Sequence, residues 1–341
     1  MGEMATIFGL SGPRLTPSEI AFFRDANPWG FILFARNVET PDQLTRLCAE
    51  IRTAVGRNAL IFIDQEGGRV QRLRPPHWTD YPSAQSLADI YSFDRHDGLR
   101  ACYLHHRLIA DDLRTIGVTA DCAPVLDLPV RGADPIISDR AFGKSVNDIV
   151  DMAHAAMAGL MCGGVAPVIK HIPGHGRATV DSHLDLPRIS EPKLKLQISD
   201  FMPFQALNDA PMAMTAHAIY EGVDKNKPLT ISRKAINEIV RDTIGFDGLL
   251  MSDDLDMKAL SGGLEDKTRK ALAAGCDIAL QCSGKLPAMV KVAKGAKALR
   301  GQSKHRARLA ELSAEHVTDF SRDAANAEYQ SLLSLYGRSV T

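Results

Sequence analysis

Three segments of the chain concentrate side chains that can carry acid–base or nucleophilic chemistry. The first covers residues 170–183 and reads Lys-His-Ile-Pro-Gly-His-Gly-Arg-Ala-Thr-Val-Asp-Ser-His. Its proline and glycines cannot continue a strand or a helix, so the segment is predicted to leave the fold as a loop that can move. Four side chains on this loop can hold or exchange protons: His171, His175, Asp181 and His183.

The other two segments place carboxylates close to apolar runs and cationic side chains. Asp253 and Asp254 end the apolar run that begins at Gly248. Residues 64–72 begin with Asp64 and combine acids, arginines and a glycine pair. Carboxylates together with guanidinium groups suit sugar hydroxyls, which both donate and accept hydrogen bonds.

Short apolar runs alternate along the chain with amphipathic helical patterns that begin at capping residues. Eight runs are predicted strands: 5–10, 30–34, 59–63, 118–126, 165–169, 212–215, 248–251 and 278–281. Apolar strands that are each followed by a helix form a parallel sheet, and eight such units close an α/β fold of the (β/α)8 TIM-barrel type. The alternative is an open doubly wound sheet. It is disfavoured because residues 9–13 lack the Gly-rich turn of that fold.

The chain is predicted to form one domain. No linker rich in proline, glycine or serine divides residues 1–341. This length exceeds the roughly 250 residues of a typical barrel by no more than ordinary loop insertions supply. The C-terminal stretch, about residues 304–338, has a helical pattern and is expected to pack outside the barrel.

Polar residues follow the predicted strands at their carboxyl ends, which meet at one mouth of a parallel barrel. An Asp after a strand is often only a helix N-cap, and a single His is often a buried structural residue. Polar groups after five successive strands are harder to explain structurally, because burying charged groups costs free energy. The residues are Asp64, Asp127, Lys170, His171, His217, Asp253 and Asp254.

The composition argues against several classes of partner. The formal net charge is -1 and no long run of Lys and Arg is present, so no binding to nucleic acid or anionic lipid is predicted. Residues 1–10 lack a basic region followed by an apolar stretch, and no apolar segment reaches about 20 residues, so neither export nor membrane insertion is expected. The six cysteines form no CxxC pair, as is typical of reduced thiols in a cytoplasmic protein.

Taken together, the three segments resemble glycoside hydrolase family 3, in particular its single-domain bacterial β-N-acetylhexosaminidases of peptidoglycan recycling. The resemblance runs through nearly the whole chain and also rests on residues 137–143 and 215–217. The loop at 170–183, with Leu186-Pro187 behind it, is the specific motif, whereas Ser252-Asp253-Asp254 alone would be weak. One departure is Ile172, which stands where an aromatic residue is common and leaves the chemistry untouched.

The resemblance implies roles for individual residues. Asp253 would be the nucleophile of a retaining hydrolase, and His183, hydrogen-bonded to Asp181, would be the acid/base. An imidazole suits the second role because its ordinary pKa of about 6.5 allows proton transfer in both directions near neutral pH. Binding of the hydroxyls of the terminal sugar is implied for Asp64, Arg72, Arg140, Lys170 and His171.

The implied substrate is N-acetylglucosamine β-1,4-linked to 1,6-anhydro-N-acetylmuramic acid, with or without its peptide. Three alternatives to this hydrolysis stay open: substrate-assisted attack by the acetamido oxygen, phosphorolysis, and sugar binding without catalysis. A metal site built from His171, His175, His183 and Asp181 is a further alternative. The spacing of these residues fits neither an HExxH helix nor a compact pair of histidines, so no metal or other cofactor is predicted. A monomer is favoured.

Overall fold

The computed structural model describes residues 2–182 and 184–337, and in it eight parallel strands close into a barrel. The barrel closes where the first strand pairs with the last, with Thr6 opposite Ala279. The strands are β1 (Met4–Gly9), β2 (Pro28–Ile32), β3 (Leu60–Ile63), β4 (Ala120–Asp121), β5 (Ala166–Ile172), β6 (Arg188–Ile189), β7 (Met212–Thr215), β8 (Ile219–Tyr220), β9 (Leu249–Asp254) and β10 (Ile278–Gln281). β6 and β8 form a separate two-stranded sheet. All eight predicted strands are barrel strands, which confirms the predicted fold class.

Helices cover the outside of the barrel between the strands. They are α1 (Pro17–Ala26), α2 (Pro41–Val55), α3 (Ala84–Phe93), α4 (Arg95–Thr115), α5 (Val146–Cys162), α6 (Lys193–Gln197), α7 (Met202–Ala206), α8 (Arg233–Ala235), α9 (Leu264–Ala274), α10 (Leu286–Gly295), α11 (Gly301–Leu312) and α12 (Arg322–Gly337). A π-helical turn, Ile236–Thr243, continues α8. Thr16 caps α1 through its side chain, which accepts the N–H of Glu19, and the Glu19 carboxylate accepts the N–H of Thr16 in return. Among the described helices, none combines the length and apolarity needed to cross a bilayer.

Side chains along the barrel strands alternate between the barrel interior and the layer of helices. In β3, Leu60 and Phe62 belong to the interior core, whereas Ile61 and Ile63 pack against the helices. Because this two-residue period continues past the apolar part of the strand, it brings Asp64 to the interior side of the mouth. The same alternation in β5 and β9 ends at Lys170 and Asp253. Strand geometry therefore gathers charged side chains around the barrel axis.

A β-bulge in β5 adds a second polar residue to the mouth. The register of β5 against β7 shifts between Lys170 and Ile172. Ile169 and Ile172 both pack in the outer core, so the two residues between them face inward together. The bulge therefore places the side chains of Lys170 and His171 next to each other at the mouth of the barrel.

The two C-terminal helices occupy different places. α12 lies outside the barrel against α4, where Arg322 bonds to Asp111 and Asp112 with 2.6 Å contacts. α11 instead covers the amino end of the barrel, because its buried alanines join the interior core and Trp29 Nε1 donates to Glu311 Oε1 at 2.9 Å. Of the two helices, α12 therefore packs on the side of the barrel and α11 across its amino end.

A buried histidine on α4 predicts acid sensitivity of the fold. His106 Nδ1 lies 2.9 Å from the carbonyl oxygen of Cys102, and burial lowers the pKa of His106 to about 4. The unfolded chain takes up this proton near pH 6.5, so stability is lost as pH falls from about 6.5 to about 4. We expect wild type to lose about 3 kcal/mol relative to His106→Asn between pH 7 and pH 4, measured by urea unfolding. Equal losses in the two proteins would contradict this assignment.

Candidate active site

Two carboxylates and three cations form an ion cluster at the carboxyl end of β3 and β5. Lys170 Nζ lies 3.0 Å from Asp64 Oδ1 and 2.6 Å from Glu66 Oε1. Arg72 Nη2 donates to Asp64 Oδ2 at 2.8 Å. Arg140 makes a two-pronged contact with Glu66, in which Nε and Nη2 each donate to a different carboxylate oxygen at 2.8 Å. The ion cluster therefore links three separate segments of the chain.

Charge pairing keeps the ion cluster ionised despite its burial. Burial alone would raise the pKa of Asp64, but Lys170 and Arg72 reverse the effect and hold this pKa well below its ordinary value. Burial likewise opposes the ionisation of Glu66, and the cations Arg140 and Lys170 bring its pKa down to about 2. Burial would lower the pKa of Lys170, whereas the two carboxylates raise it above its ordinary value. These groups are therefore fixed charges at neutral pH, suited to binding hydroxyls.

Asp127 bonds to the ring of one histidine and to the backbone of another beside the ion cluster. Its carboxylate is buried and lies 2.6 Å from His171 Nδ1. It also accepts the backbone N–H of His175 at 2.6 Å. Burial opposes the ionisation of Asp127, but His171 outweighs it and lowers the pKa of this carboxyl below its ordinary value. A carboxylate on Nδ1 sets the tautomer and ring position of His171.

The adjacent carboxylates at the end of β9 face different surroundings. Asp253 Oδ1 accepts the N–H of Asp254 at 2.7 Å, and the N–H of Asp253 points to Thr215 Oγ1 at 3.4 Å. Asp254 turns into the backbone instead, where its Oδ1 accepts the N–H groups of Asp256 and Cys282 at 3.1 and 3.0 Å. Burial raises the pKa of Asp254 to about 6. Asp253 is thus the carboxylate that faces the mouth.

Asp253 shares a cavity of about 20 Å³ with seven other residues. A space of this size holds about one water molecule and no sugar ring. One wall is Ser182, the residue that precedes His183 in the chain. The remaining lining residues are Ile136, Arg140, His171, His175, Ala216 and His217. The cavity therefore joins the end of β9, the ion cluster and the far part of the 170–183 loop.

Comparison of the chain with known proteins identifies its family. The chain matches the glycosyl hydrolase family 3 N-terminal domain over residues 20–318. It is 40% identical over 284 residues to the β-hexosaminidase of Alkalilimnicola ehrlichii, a match that covers 81% of this chain and 80% of that protein. The chain belongs to glycoside hydrolase family 3. It is therefore a glycoside hydrolase, as the resemblance of its motifs implies.

Solved structures of family 3 enzymes superpose on nearly the full length of this hydrolase. Native NagZ from Neisseria gonorrhoeae aligns with a TM-score of 0.84 and 31% identity, over 98% of this chain and 97% of that one. NagZ of the same organism in complex with N-trifluoroacetyl-D-glucosamine aligns with a TM-score of 0.85 and 30% identity, over 98% and 97% of the two chains. The barrel and its order of elements are therefore shared with these enzymes.

The structure of this family 3 hydrolase brings most of the sequence-predicted site residues together at one mouth. Asp181 is half-buried, and its carbonyl oxygen accepts the N–H groups of Leu184 and Asp185 at 2.9 and 3.0 Å. His183 lies outside the described residues, so its predicted role stays a prediction. The residues gathered around the ion cluster and the cavity are Asp64, Arg72, Arg140, Lys170, His171 and Asp253.

His217, also predicted at the mouth, is fully engaged by the fold. Its Nδ1 lies 2.7 Å from Thr230 Oγ1 and its Nε2 lies 3.0 Å from the carbonyl oxygen of Asp254. Burial lowers the pKa of His217, although nearby Asp253 opposes the shift. A neutral imidazole with both nitrogens bonded acts as a wall of the cavity rather than as a proton carrier.

The first part of the 170–183 loop is fixed to the barrel. Tyr220 donates its hydroxyl to the carbonyl oxygen of Gly174 at 2.8 Å. A Cβ on Gly176 would lie 1.9 Å from the carbonyl oxygen of Leu128, so only glycine permits this close approach. Arg177 Nε donates to the buried carboxylate of Asp200 at 2.8 Å. The carbonyl oxygen of Ala178 accepts the N–H of Asp134 at 2.8 Å, so any movement of the loop begins after Ala178.

Within residues 2–182 and 184–337, a group of side chains with metal-type spacing occurs at Asp94, His96 and Asp97, around the start of α4 and away from the mouth. Exposed acidic groups of this kind are common without an ion. The alternative set includes His183, which lies outside the described residues, so a metal at the mouth stays a question for a chelator assay.

Glu66 is a site residue that the sequence did not single out. It lies two residues after Asp64, so the two carboxylates point to the same side of an extended chain. This spacing is the feature of the sequence that could have identified Glu66. Its partner Arg140 is 74 positions away along the chain, and no local pattern reveals a pairing over that distance. Glu66 is nevertheless the carboxylate that joins Lys170 to Arg140.

We predict that Glu66→Gln destabilises the protein and weakens substrate binding. The amide keeps the shape of the side chain but leaves Lys170 and Arg140 with one carboxylate fewer, and breaking a buried pair costs about 3–5 kcal/mol. Urea unfolding measures the loss, and KM is expected to rise more than kcat falls. The matched control is Glu265→Gln, whose exposed ion pair with Arg269 is worth less than about 1 kcal/mol. Equal destabilisation by both variants would contradict the prediction.

Proposed function

We propose that this family 3 hydrolase is a β-N-acetylhexosaminidase that releases terminal N-acetylglucosamine with retention of configuration. The observation that carries the proposal is the shared cavity, which is lined by both Asp253 and Ser182, the residue before His183. A retaining hydrolase needs a fixed carboxylate and a proton carrier on either side of one sugar. Asp253 on a barrel strand suits the first role, and His183, oriented by Asp181, is proposed for the second.

Two displacement steps follow from this arrangement. Asp253 attacks the anomeric carbon while His183 donates its proton to the glycosidic oxygen, so the aglycone leaves as an alcohol and the sugar becomes an ester of Asp253. A water then gives a proton to His183 and attacks the same carbon, which frees the sugar and the carboxylate. The two steps together return the enzyme to its starting protonation.

Substrate entry requires part of the loop to move. The cavity at Asp253 holds about one water, so a sugar needs more room beside this carboxylate. Residues up to Ala178 are held by hydrogen bonds to neighbouring segments, and the part of the loop after Ala178 is proposed to swing away and return. Such a movement would admit the sugar, exclude bulk water and place the acid/base after binding.

The ion cluster is proposed to bind the hydroxyls of the terminal sugar. Asp64 and Arg72 present acceptor and donor groups at fixed positions, as do Lys170 and Arg140 deeper in the mouth. Charge-assisted hydrogen bonds of this kind are stronger and more directional than neutral ones. His171 lines the cavity beside Asp253 and is proposed to contact the sugar close to the anomeric carbon.

The proposed substrate class is N-acetylglucosamine β-1,4-linked to 1,6-anhydro-N-acetylmuramic acid, with or without its peptide, in peptidoglycan recycling. Support comes from the family motifs and from N. gonorrhoeae NagZ, whose complex holds N-trifluoroacetyl-D-glucosamine. A cytoplasmic site of action is proposed with it. All six cysteines are free thiols, which accords with a reducing compartment.

The deciding experiment is hydrolysis of an aryl β-N-acetylglucosaminide, with the aryl β-glucoside beside it. We expect faster release of the aryl group from the N-acetyl compound, retention of configuration by NMR, and cleavage of the anhydro-disaccharide. Assays with added phosphate test phosphorolysis, because a sugar phosphate would then replace free N-acetylglucosamine as product. Assays with EDTA test the metal alternative. No turnover of either aryl substrate would refute the proposed function and favour sugar binding alone.

A further inference from the structure

His175 is a buried side chain at the mouth whose hydrogen-bonding groups are both unused. It is 4% exposed, and among the described residues neither ring nitrogen has a hydrogen-bond partner. His171 and His217, which line the same cavity, bond to Asp127 and to Thr230. Buried polar groups are nearly always satisfied, so an open imidazole in a ligand cavity indicates that its partner arrives with the ligand.

The backbone of His175 is anchored to neighbouring segments. The N–H of His175 donates to Asp127 Oδ1 at 2.6 Å, and its carbonyl oxygen accepts the N–H of Ala178 at 3.0 Å. Gly176 lies directly against the carbonyl oxygen of Leu128, where no larger residue fits. The backbone from which the His175 ring projects therefore lies in the held part of the loop and does not need the movement proposed for the later part.

The imidazole of His175 offers one donor and one acceptor. Burial lowers its pKa to about 4, and the neighbouring His171 contributes in the same direction. The ring is therefore neutral at physiological pH, with one protonated and one unprotonated nitrogen. A neutral ring suits a neutral polar group of a sugar, an amide or a hydroxyl, and not an anion.

The position of Asp253 selects among the groups of the sugar. Asp253 must reach the anomeric carbon, and the acetamido group sits on C2, one bond from that carbon. His175 lines the same cavity as Asp253, whereas Asp64 and Arg72 lie in the ion cluster proposed for the more distant hydroxyls. We propose that His175 hydrogen-bonds to the 2-acetamido group through one ring nitrogen and so determines the preference for N-acetylated sugars. This inference rests on the proposed function.

The test compares two substrates that differ only at C2. Single-turnover kcat/KM is measured for the 2,4-dinitrophenyl β-N-acetylglucosaminide and the corresponding β-glucoside, with enzyme in excess so that slow cleavage is visible. In His175→Leu the ratio of the two values, N-acetyl over glucoside, is expected to fall about 10- to 100-fold, because a site built around a polar group discriminates against its absence. His217→Leu is the matched control and is expected to change both values by the same factor.

Each outcome bears on the proposal. A ratio unchanged in folded His175→Leu, with wild type active on the N-acetyl substrate, overturns the role of His175 but leaves the proposed function intact. Wild type inactive on that substrate overturns the function itself. If His175→Leu does not fold, ¹⁵N-histidine NMR of wild type decides: N-acetylglucosamine, but not glucose, should shift the ring resonances that are missing from His175→Asn. Identical responses to the two sugars overturn the proposal.

Discussion

Replacing Asp253 with asparagine is expected to lower kcat on aryl β-N-acetylglucosaminides by about 10⁴-fold, the size of effect typical for loss of a catalytic nucleophile. The amide keeps the volume of the side chain and can still accept the N–H of Asp254, a 2.7 Å bond in the structure. It cannot form the ester with the sugar. Thermal unfolding should show a melting temperature close to that of wild type, which separates lost chemistry from lost fold.

The neighbouring carboxylate provides the matched control for this variant. Asp254 bonds to the backbone N–H groups of Asp256 and Cys282, and an asparagine there keeps an acceptor oxygen, so Asp254→Asn should lose less than about tenfold in kcat. A slowly released fluorosugar should attach to Asp253 in wild type, identified by mass spectrometry of the digested protein. Attachment elsewhere, or none with a fully active enzyme, would favour substrate-assisted catalysis by the acetamido oxygen.

The barrel itself follows from patterns that are local in the sequence. Runs such as 60–63 and 249–251 are short, apolar and separated by capped helices, which is sufficient to predict parallel strands. Their two-residue alternation continues into Asp64 and Asp253, so the inward direction of these carboxylates is also readable. Position and direction of the main acidic residues therefore follow from the sequence alone.

Contacts between distant segments do not follow in this way. The ion pair of Glu66 with Arg140 joins two residues that are 74 positions apart in the chain. Each residue alone looks like an ordinary surface charge. The bulge between Lys170 and Ile172 depends on the register against β7 and not on the residues of β5 alone. Placement of α11 across the amino end of the barrel depends likewise on the interior core residues that the buried alanines of α11 meet there.

The anchoring of the loop is also hidden in the sequence, although its glycines are visible. Glycine in a loop indicates either freedom to move or close contact with another backbone, and the sequence cannot distinguish the two. At Gly176 the second reason applies, because the carbonyl oxygen of Leu128 occupies the space of a side chain. The early part of the loop is thus a fixed base for the part that carries the proposed acid/base.

Replacing His183 with alanine is expected to affect substrates according to their leaving groups. Protonation of the leaving oxygen matters for a sugar alcohol and little for 2,4-dinitrophenolate, which is stable as an anion. We therefore expect kcat/KM, which reports the first displacement, to fall about 10³-fold for the anhydro-disaccharide and less than about tenfold for the dinitrophenyl substrate. His305→Ala, an exposed histidine on α11, should leave both values unchanged.

The second displacement gives an independent signature of the same residue. Without a base to activate water, the glycosyl-enzyme on Asp253 should accumulate with the dinitrophenyl substrate, so a burst of dinitrophenolate is expected before a slow steady state. Azide needs no deprotonation, and it should therefore accelerate turnover of His183→Ala and yield a glycosyl azide of retained configuration. Equal losses of kcat/KM on both substrates would contradict an acid role for His183. Azide without effect on the steady state would contradict its role as base, since the intermediate would then be opened by some other group on the enzyme.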